Sequence, residues 1–276
     1  LAQSLDYGAL VLEIDGNFDD CMRLIQELGD DPAIYVANSI NPFRIEGQKT
    51  VAFELMEQCS WQVPDHVVVP GGNMGNSTAL GKGFQELLDM GLIRRLPKLS
   101  VIQAEGAAPV ARLFANLTPA QRAGEEELPE KLAVVENPKT LATAIKIGAP
   151  VSWKKALRAV VRSRGQVIAV SEQEIADAKA MIGRDSIGCE PASATTVAGI
   201  KKLVAAGHIQ SGEDVVAVLT GHALKDPDYM SNYHRGTLAL PAGEKDATPI
   251  HGAFRNAPER VAASKSAILA SLKQRQ

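Results

Sequence analysis

Residues 67–80 read Val67-Val68-Val69-Pro70-Gly71-Gly72-Asn73-Met74-Gly75-Asn76-Ser77-Thr78-Ala79-Leu80. The β-branched run predicts a short buried strand that stops at Pro70. Three glycines interleaved with Asn73 and Asn76 predict a tight turn, and Ser77 and Thr78 open a helical pattern. A strand, a glycine turn and a helix start make an anion cradle. Glycines let backbone N–H groups converge, and the helix N-terminus adds partial positive charge. A Walker loop requires G-x-x-x-x-G-K-[ST], but Lys82 lies between Gly81 and Gly83 with no Ser or Thr after it. A Rossmann turn requires G-x-G-x-x-G, a spacing that Gly72 and Gly75 do not supply. The same residues would also serve a turn that needs positive φ and nothing more.

Outward from this loop, strand and helix patterns alternate. Strands are expected at Ala9–Ile14, Ala33–Ala37, His66–Val69, Ser100–Ala104, Gln166–Val170 and Asp214–Leu219. Helices are expected from Asp19 to Leu28, capped near Asn17, and over Gln48–Cys59, Ser77–Met90, Trp153–Ser163 and Glu172–Ile182. Another runs from Pro191 to Ala206, with Pro191 in its first turn and Gly207 at its end. Such alternation with apolar strands predicts an α/β fold, parallel strands covered by helices. Residues 116–139, with Glu125-Glu126-Glu127, predict a solvated surface excursion. Residues 231–257 are Gly-, Pro- and polar-rich, followed by an amphipathic helix from Pro258 to Lys273.

The 276 residues are 45% hydrophobic but only 4% aromatic, so the core must be mainly aliphatic. A net charge of −3 with mixed signs argues against a nucleic-acid partner. Three dispersed cysteines, Cys21, Cys59 and Cys189, form no disulfide or zinc pattern, and the five histidines lack metal-ligand spacing. Reduced thiols in the cytoplasm are the simplest expectation. No apolar run approaches the ~18 residues of a membrane span, so neither a metal nor a membrane partner is expected. The chain opens at Leu1, with neither a Met nor a secretory leader, and Leu1–Gly8 reads as the end of a helix feeding a strand. The expectation is an N-terminally truncated fragment.

Several further motifs then converge. Asn38-Ser39-Ile40-Asn41-Pro42-Phe43-Arg44-Ile45-Glu46-Gly47-Gln48-Lys49-Thr50, the loop at 70–76 and Gln103-Ala104-Glu105-Gly106 occur in order. They are followed by Ile147-Gly148-Ala149-Pro150-Val151-Ser152-Trp153, Glu190-Pro191-Ala192-Ser193-Ala194 and Leu219-Thr220-Gly221-His222-Ala223-Leu224-Lys225-Asp226-Pro227. Together, from near residue 1 to about residue 230, they resemble the threonine synthase family of the tryptophan-synthase-β-like, fold type II pyridoxal-phosphate enzymes.

The resemblance implies conversion of O-phospho-L-homoserine and water to L-threonine and phosphate. It implies that Gly72, Asn73, Met74, Gly75 and Asn76 hold the phosphate of pyridoxal 5'-phosphate, and that the Thr220 hydroxyl faces its pyridine nitrogen. Asn38, Ser39 and Arg44, with Asn76, become candidates for the substrate phosphate; the planar guanidinium of Arg suits that anion. Read alone, Thr220 could merely cap a turn with Gly221, and Arg44 could be a solvated loop residue before a helix. The motif at 190–194 reads as mostly structural, Cys189 as a small core residue, and Lys225 with Asp226 as a surface pair.

The family carries its Schiff-base lysine in an upstream segment that nothing here matches, so no catalytic residue is assigned. Lys49 falls within a signature but does not match the Schiff-base motif. The chain by itself is therefore expected to be inactive. The implied organisation is a remainder of the small mobile domain over residues 1–45, the large cofactor domain over 46–230, and a C-terminal loop and helix over 231–276. Family members are commonly homodimers, so the resemblance implies that assembly. The rival readings are another fold type II lyase, such as a threonine dehydratase or a phosphoserine-using synthase, and a non-catalytic ligand-binding homologue.

Overall fold

The structure is a computed structural model and describes residues 2–16, 18–37, 41–240 and 248–273. Its centre is a four-stranded parallel sheet built from β1 (His66–Pro70), β2 (Lys98–Ala104), β3 (Val167–Val170) and β4 (Val215–Ala217), in the order β3-β2-β1-β4. β1 pairs with β2 from His66↔Lys98 to Pro70↔Ile102, and with β4 from His66↔Val215 to Val68↔Ala217. Side chains alternate across the sheet. Val67 and Val69 enter one core cluster with Leu99 and Val101, while Val68 enters the other with Ile102 and Val170. Both faces are covered, which is why the central strands read as unbroken apolar runs.

The sheet connects to a small set of helices. Before it come α1 (Ala2–Asp6), α2 (Phe18–Leu28), α3 (Pro42–Gln48) and α4 (Thr50–Gln58). α5 (Gly75–Asp89) follows β1, and α6 (Pro109–Ala115), α7 (Pro119–Ala123) and α8 (Trp153–Arg162) lie between β2 and β3. α4, α5 and α8 pack on the first face through Met56, Leu80, Phe84, Leu87, Leu157 and Val160. Between β3 and β4, α9 (Glu172–Arg184) and α10 (Pro191–Ala205) cover the second face. Small buried residues along α10, from Ala192 through Ala198, let that helix lie close to the strands. Ser171 and Glu174 form a reciprocal capping box that starts α9.

Several sequence expectations shift. The strands expected at Ala9–Ile14 and Ala33–Ala37 form no ladder among the described residues. A strand needs a lateral hydrogen-bonding neighbour, and here Leu10, Leu12 and Tyr35 stay exposed. The helix expected over Gln48–Cys59 is two helices meeting at Lys49, and Arg44 lies inside the first, not in a loop. Asn41 caps that helix by accepting the Phe43 N–H, with Pro42 at its first position. β4 is shorter than expected and only half-buried, because it is an edge strand. The expected cap at Asn17 lies outside the described residues.

The 116–139 excursion is largely exposed yet tethered. Val135 N–H donates to Gly148 O at 3.1 Å and Lys139 N–H to Gly106 O at 2.9 Å, while Leu128 and Leu132 touch the core. Beyond β4, the expected loop instead begins with α11 (Pro227–Arg235), and β5 (Ala239–Leu240) pairs antiparallel with β6 (Thr248–Pro249). The last helix, α12, spans only Lys265–Lys273, because the Ser264 hydroxyl accepts the Ala267 N–H and sets its start there. No helix among the described residues is long and apolar enough to cross a membrane.

Candidate functional site

The glycine turn leaves β1 at the C-terminal edge of the sheet, where ligands collect in open α/β folds. Gly71 N–H still bonds Ile102 O at 2.7 Å, holding the turn to β2. A Cβ on Gly71 would lie 2.6 Å from Val101 Cγ1, and one on Gly72 3.1 Å from Ala144 O and 3.2 Å from Ile145 Cγ2. The turn is thus wedged between β2 and the 142–145 segment, and side chains there would not fit.

Met74 takes the left-handed conformation (φ 65°) at the N-cap of α5 and is buried. That left-handed turn in a non-glycine residue leads the chain from β1 into α5. The first intrahelical bond is Thr78 N–H to Met74 O at 3.1 Å. The amides of Gly75, Asn76 and Ser77 therefore lead the helix without an intrahelical acceptor. No side chain caps this end, and no acidic residue occupies its first turn.

Asn73 ties the turn to the 150s. Its Oδ1 accepts the Val151 N–H at 2.7 Å and its carbonyl accepts the Ser152 N–H at 3.2 Å. Because Oδ1 must face that donor, the amide nitrogen points the other way. Asn73 Nδ2 is buried and has no partner among the described residues. An orphaned donor beside uncapped helix amides asks for an anionic acceptor. Asn76 is half-buried at the second helical position, and Gln48 Oε1 stands 3.9 Å from where a Cβ on Gly75 would be.

Gln103 supports the turn from β2. Fully buried, it accepts the N–H groups of Val110 and Ala111 at 3.0 and 2.9 Å, and donates to Ala107 O at 3.2 Å and Gly71 O at 3.4 Å. The sequence places Gln103 in a motif without indicating a role; a large polar residue in a mostly apolar strand is the available signal.

Thr220 follows β4, the strand beside β1, and is exposed at the same edge. Its surroundings are more built than the sequence suggests. Ser193 Oγ accepts the N–H groups of Thr220 and Gly221 at 2.9 and 3.0 Å and lies 3.1 Å from Thr220 Oγ1. Glu190, buried at the N-cap of α10, places Oε1 3.4 Å from Thr220 Oγ1 and Oε2 3.5 Å from Lys225 Nζ. Gly221 permits this approach, since its Cβ would fall 2.1 Å from Glu190 Oε1. Lys225 therefore pairs with Glu190 and not with Asp226, which instead takes the Thr143 hydroxyl at 3.4 Å. Cys189 is buried, and that burial pushes its thiol pKa up.

Arg44 is exposed on α3, a helix that packs along α5, and makes no ion pair among the described residues. Asn38 and Ser39 lie outside the described residues. Lys49 Nζ is held between Glu46 at 2.7 Å and Glu86 at 2.8 Å. Hydrogen bonds to those two carboxylates raise its pKa, which keeps it charged and unsuited to nucleophilic work.

Comparisons with known proteins bear on the family and the fold. The threonine synthase of Methanocaldococcus jannaschii is 47% identical over 229 residues, 83% of this chain and 54% of that protein. The chain thus spans about half the length of this curated relative. Among solved structures, the processed form of threonine deaminase isoform 2 from Solanum lycopersicum superposes with a TM-score of 0.60 at 18% identity, covering 78% of this chain and 56% of the other. Threonine synthase from Escherichia coli gives 0.58 at 21% identity, covering 96% and 58%. At such identities these two structures show the shared fold, fold type II, and not the reaction. The pyridoxal-phosphate dependent enzyme family matches residues 1–221, and the chain belongs to that family.

Proposed function

We propose that this chain is part of a threonine synthase, acting on O-phospho-L-homoserine and water to give L-threonine and phosphate. The carrying observation is the 47% identity to a threonine synthase across 83% of the chain. The site's chemistry fits the family cofactor. Wedged glycines, uncapped helix amides and the orphaned Asn73 Nδ2 suit one phosphate monoester with no nucleoside attached.

In this reading Gly72, Asn73, Met74, Gly75 and Asn76 hold the phosphate of pyridoxal 5'-phosphate. Bound there, the cofactor supplies an electron sink for carbanion chemistry at the substrate. Thr220 presents its hydroxyl to the pyridine nitrogen, and Ser193 fixes the orientation of that hydroxyl. Arg44, with Asn38, Ser39 and Asn76, holds the substrate phosphate and orients it for departure. The residues before α3 contribute little to the core, with Met22 the only buried apolar side chain described there. That supports reading residues 1–45 as part of a smaller mobile domain beside a large domain over 46–230. A homodimer and a cytoplasmic location complete the reading; the three free cysteines suit a reducing compartment.

The test uses the full-length protein with pyridoxal phosphate. Phosphate and threonine should appear in equal amounts from O-phospho-L-homoserine. Threonine formed without the cofactor, or none formed with it, overturns the assignment. Ammonia release from threonine without phosphate chemistry would instead favour a dehydratase.

A further inference from the structure

A second cavity lies away from the glycine turn, between α9, α11 and the tail at 253–256. It encloses about 630 Å³, within the range of small-molecule sites. The tail is strapped across it by specific bonds. Tyr233 OH donates to Asp177 at 2.8 Å and accepts the Phe254 N–H at 3.2 Å. Asn256 N–H reaches His234 Nδ1 at 3.0 Å, and Arg255 Nε donates to His234 O at 3.0 Å.

Lys179 breaks the pattern of this cavity. It sits on α9 beside buried Ala176 and Ala180, where an apolar residue is expected. It is only 7% exposed, lines the cavity, and has no hydrogen bond or ion pair among the described residues. Burial pulls its pKa down, opposed by the charges of Cys189 and Asp226. Tyr229 OH and Glu172 Oε1 are also buried without partners among the described residues. Arg184 and Arg255 line the same cavity, also without carboxylate partners among the described residues. The carboxylate of Asp177 is already taken by Tyr233 and Gln173.

We infer that this cavity is a binding site for a small organic carboxylate with an apolar body. A carboxylate would pair with the Lys179 amine and the two guanidinium groups that line the cavity. The apolar body would lie on Ala176, Ala180, Met230 and Phe254. The site is independent of the reaction proposed above.

The experiment titrates the full-length protein with 4-fluorobenzoate and follows the probe by fluorine NMR. Saturable binding is expected in the wild type. Lys179→Met keeps an unbranched side chain one atom shorter, removes the charge, and should leave the thermal midpoint unchanged or higher. It should weaken the probe at least about tenfold, as should Arg255→Gln, with pyridoxal-phosphate binding unchanged. No saturable binding below ~10 mM, or equal affinity in wild type and both variants, overturns the inference. Equal competition by inorganic phosphate also overturns it, because the apolar surface would then contribute nothing.

Discussion

The Ser193 hydroxyl accepts the Thr220 backbone N–H at 2.9 Å and lies 3.1 Å from the Thr220 hydroxyl. With the Gly221 N–H at 3.0 Å, both acceptor positions of Ser193 are filled. Ser193 must therefore donate its own proton to Thr220 Oγ1. That leaves the Thr220 proton free to point to Glu190 or outward to a ligand. Ser193→Ala removes this arrangement and strands two amides. It should cost about 2 kcal/mol in urea denaturation, whereas Thr220→Val should cost less, because Ser193 keeps its amide partners.

Asn73 offers a test of the anion cradle that spares the fold. Asn73→Asp keeps an acceptor for the Val151 N–H but exchanges the orphaned donor for negative charge. Pyridoxal-phosphate affinity, measured by equilibrium dialysis, should fall at least about tenfold. Unchanged affinity would move the cofactor phosphate elsewhere.

Arg44→Ala should separate the two anion sites. The KM for O-phospho-L-homoserine should rise at least about tenfold while cofactor affinity holds. An equal loss of both would mean that Arg44 serves the cofactor phosphate.

Gln103→Leu matches volume but leaves two buried amides and two carbonyls without their partner. The loss should be about 3 kcal/mol, lowering the thermal midpoint by roughly 10 °C. Pyridoxal phosphate should bind more weakly as well, since Gln103 supports Gly71.

Acid should destabilise the sheet edge in two stages. Burial, the largest influence, holds the His66 imidazole below its usual 6.5, against the opposing effect of its hydrogen bond to the Glu213 carboxylate. The unfolded chain then takes the proton more readily, so stability is complete above pH 6.5 and falls as pH drops below it. The Glu213 carboxylate is lowered from 4.5 to about 2, first by the Gln210 N–H and then by Lys98. Its contribution is present above pH 4.5 and is lost as pH falls towards 2. Urea midpoints across this range should show both declines, and Glu213→Gln should flatten the lower one.

The main sheet is legible in the sequence because its strands are buried on both faces. Val67–Val69 and Ser100–Ala104 could hardly be anything else once flanked by Gly and Pro. Pro191 and the Ser171–Glu174 box mark helix starts through local hydrogen bonding, which a sequence carries openly. Ala9–Ile14 misleads because its nearly continuous apolar run says that a strand is possible, not that a neighbour is available. Arg44 reads as a loop residue because the cap at Asn41 and the break at Lys49 are separate local events within one polar stretch.

By itself, the sequence determined the parallel α/β class, the turn at 70–76 and the order of motifs that marks the pyridoxal-phosphate dependent enzymes. These depend on periodicity, glycine freedom and local capping, all of which act between near neighbours. Only the tertiary structure decided that Asn73 keeps a donor in hand, that Ser193 and Glu190 flank Thr220, and that Lys179 faces a cavity unpaired. Those relationships join residues 27 to 78 positions apart or depend on what does not meet them. Hydrogen-bond satisfaction is settled across the whole packed chain, and no local pattern records it.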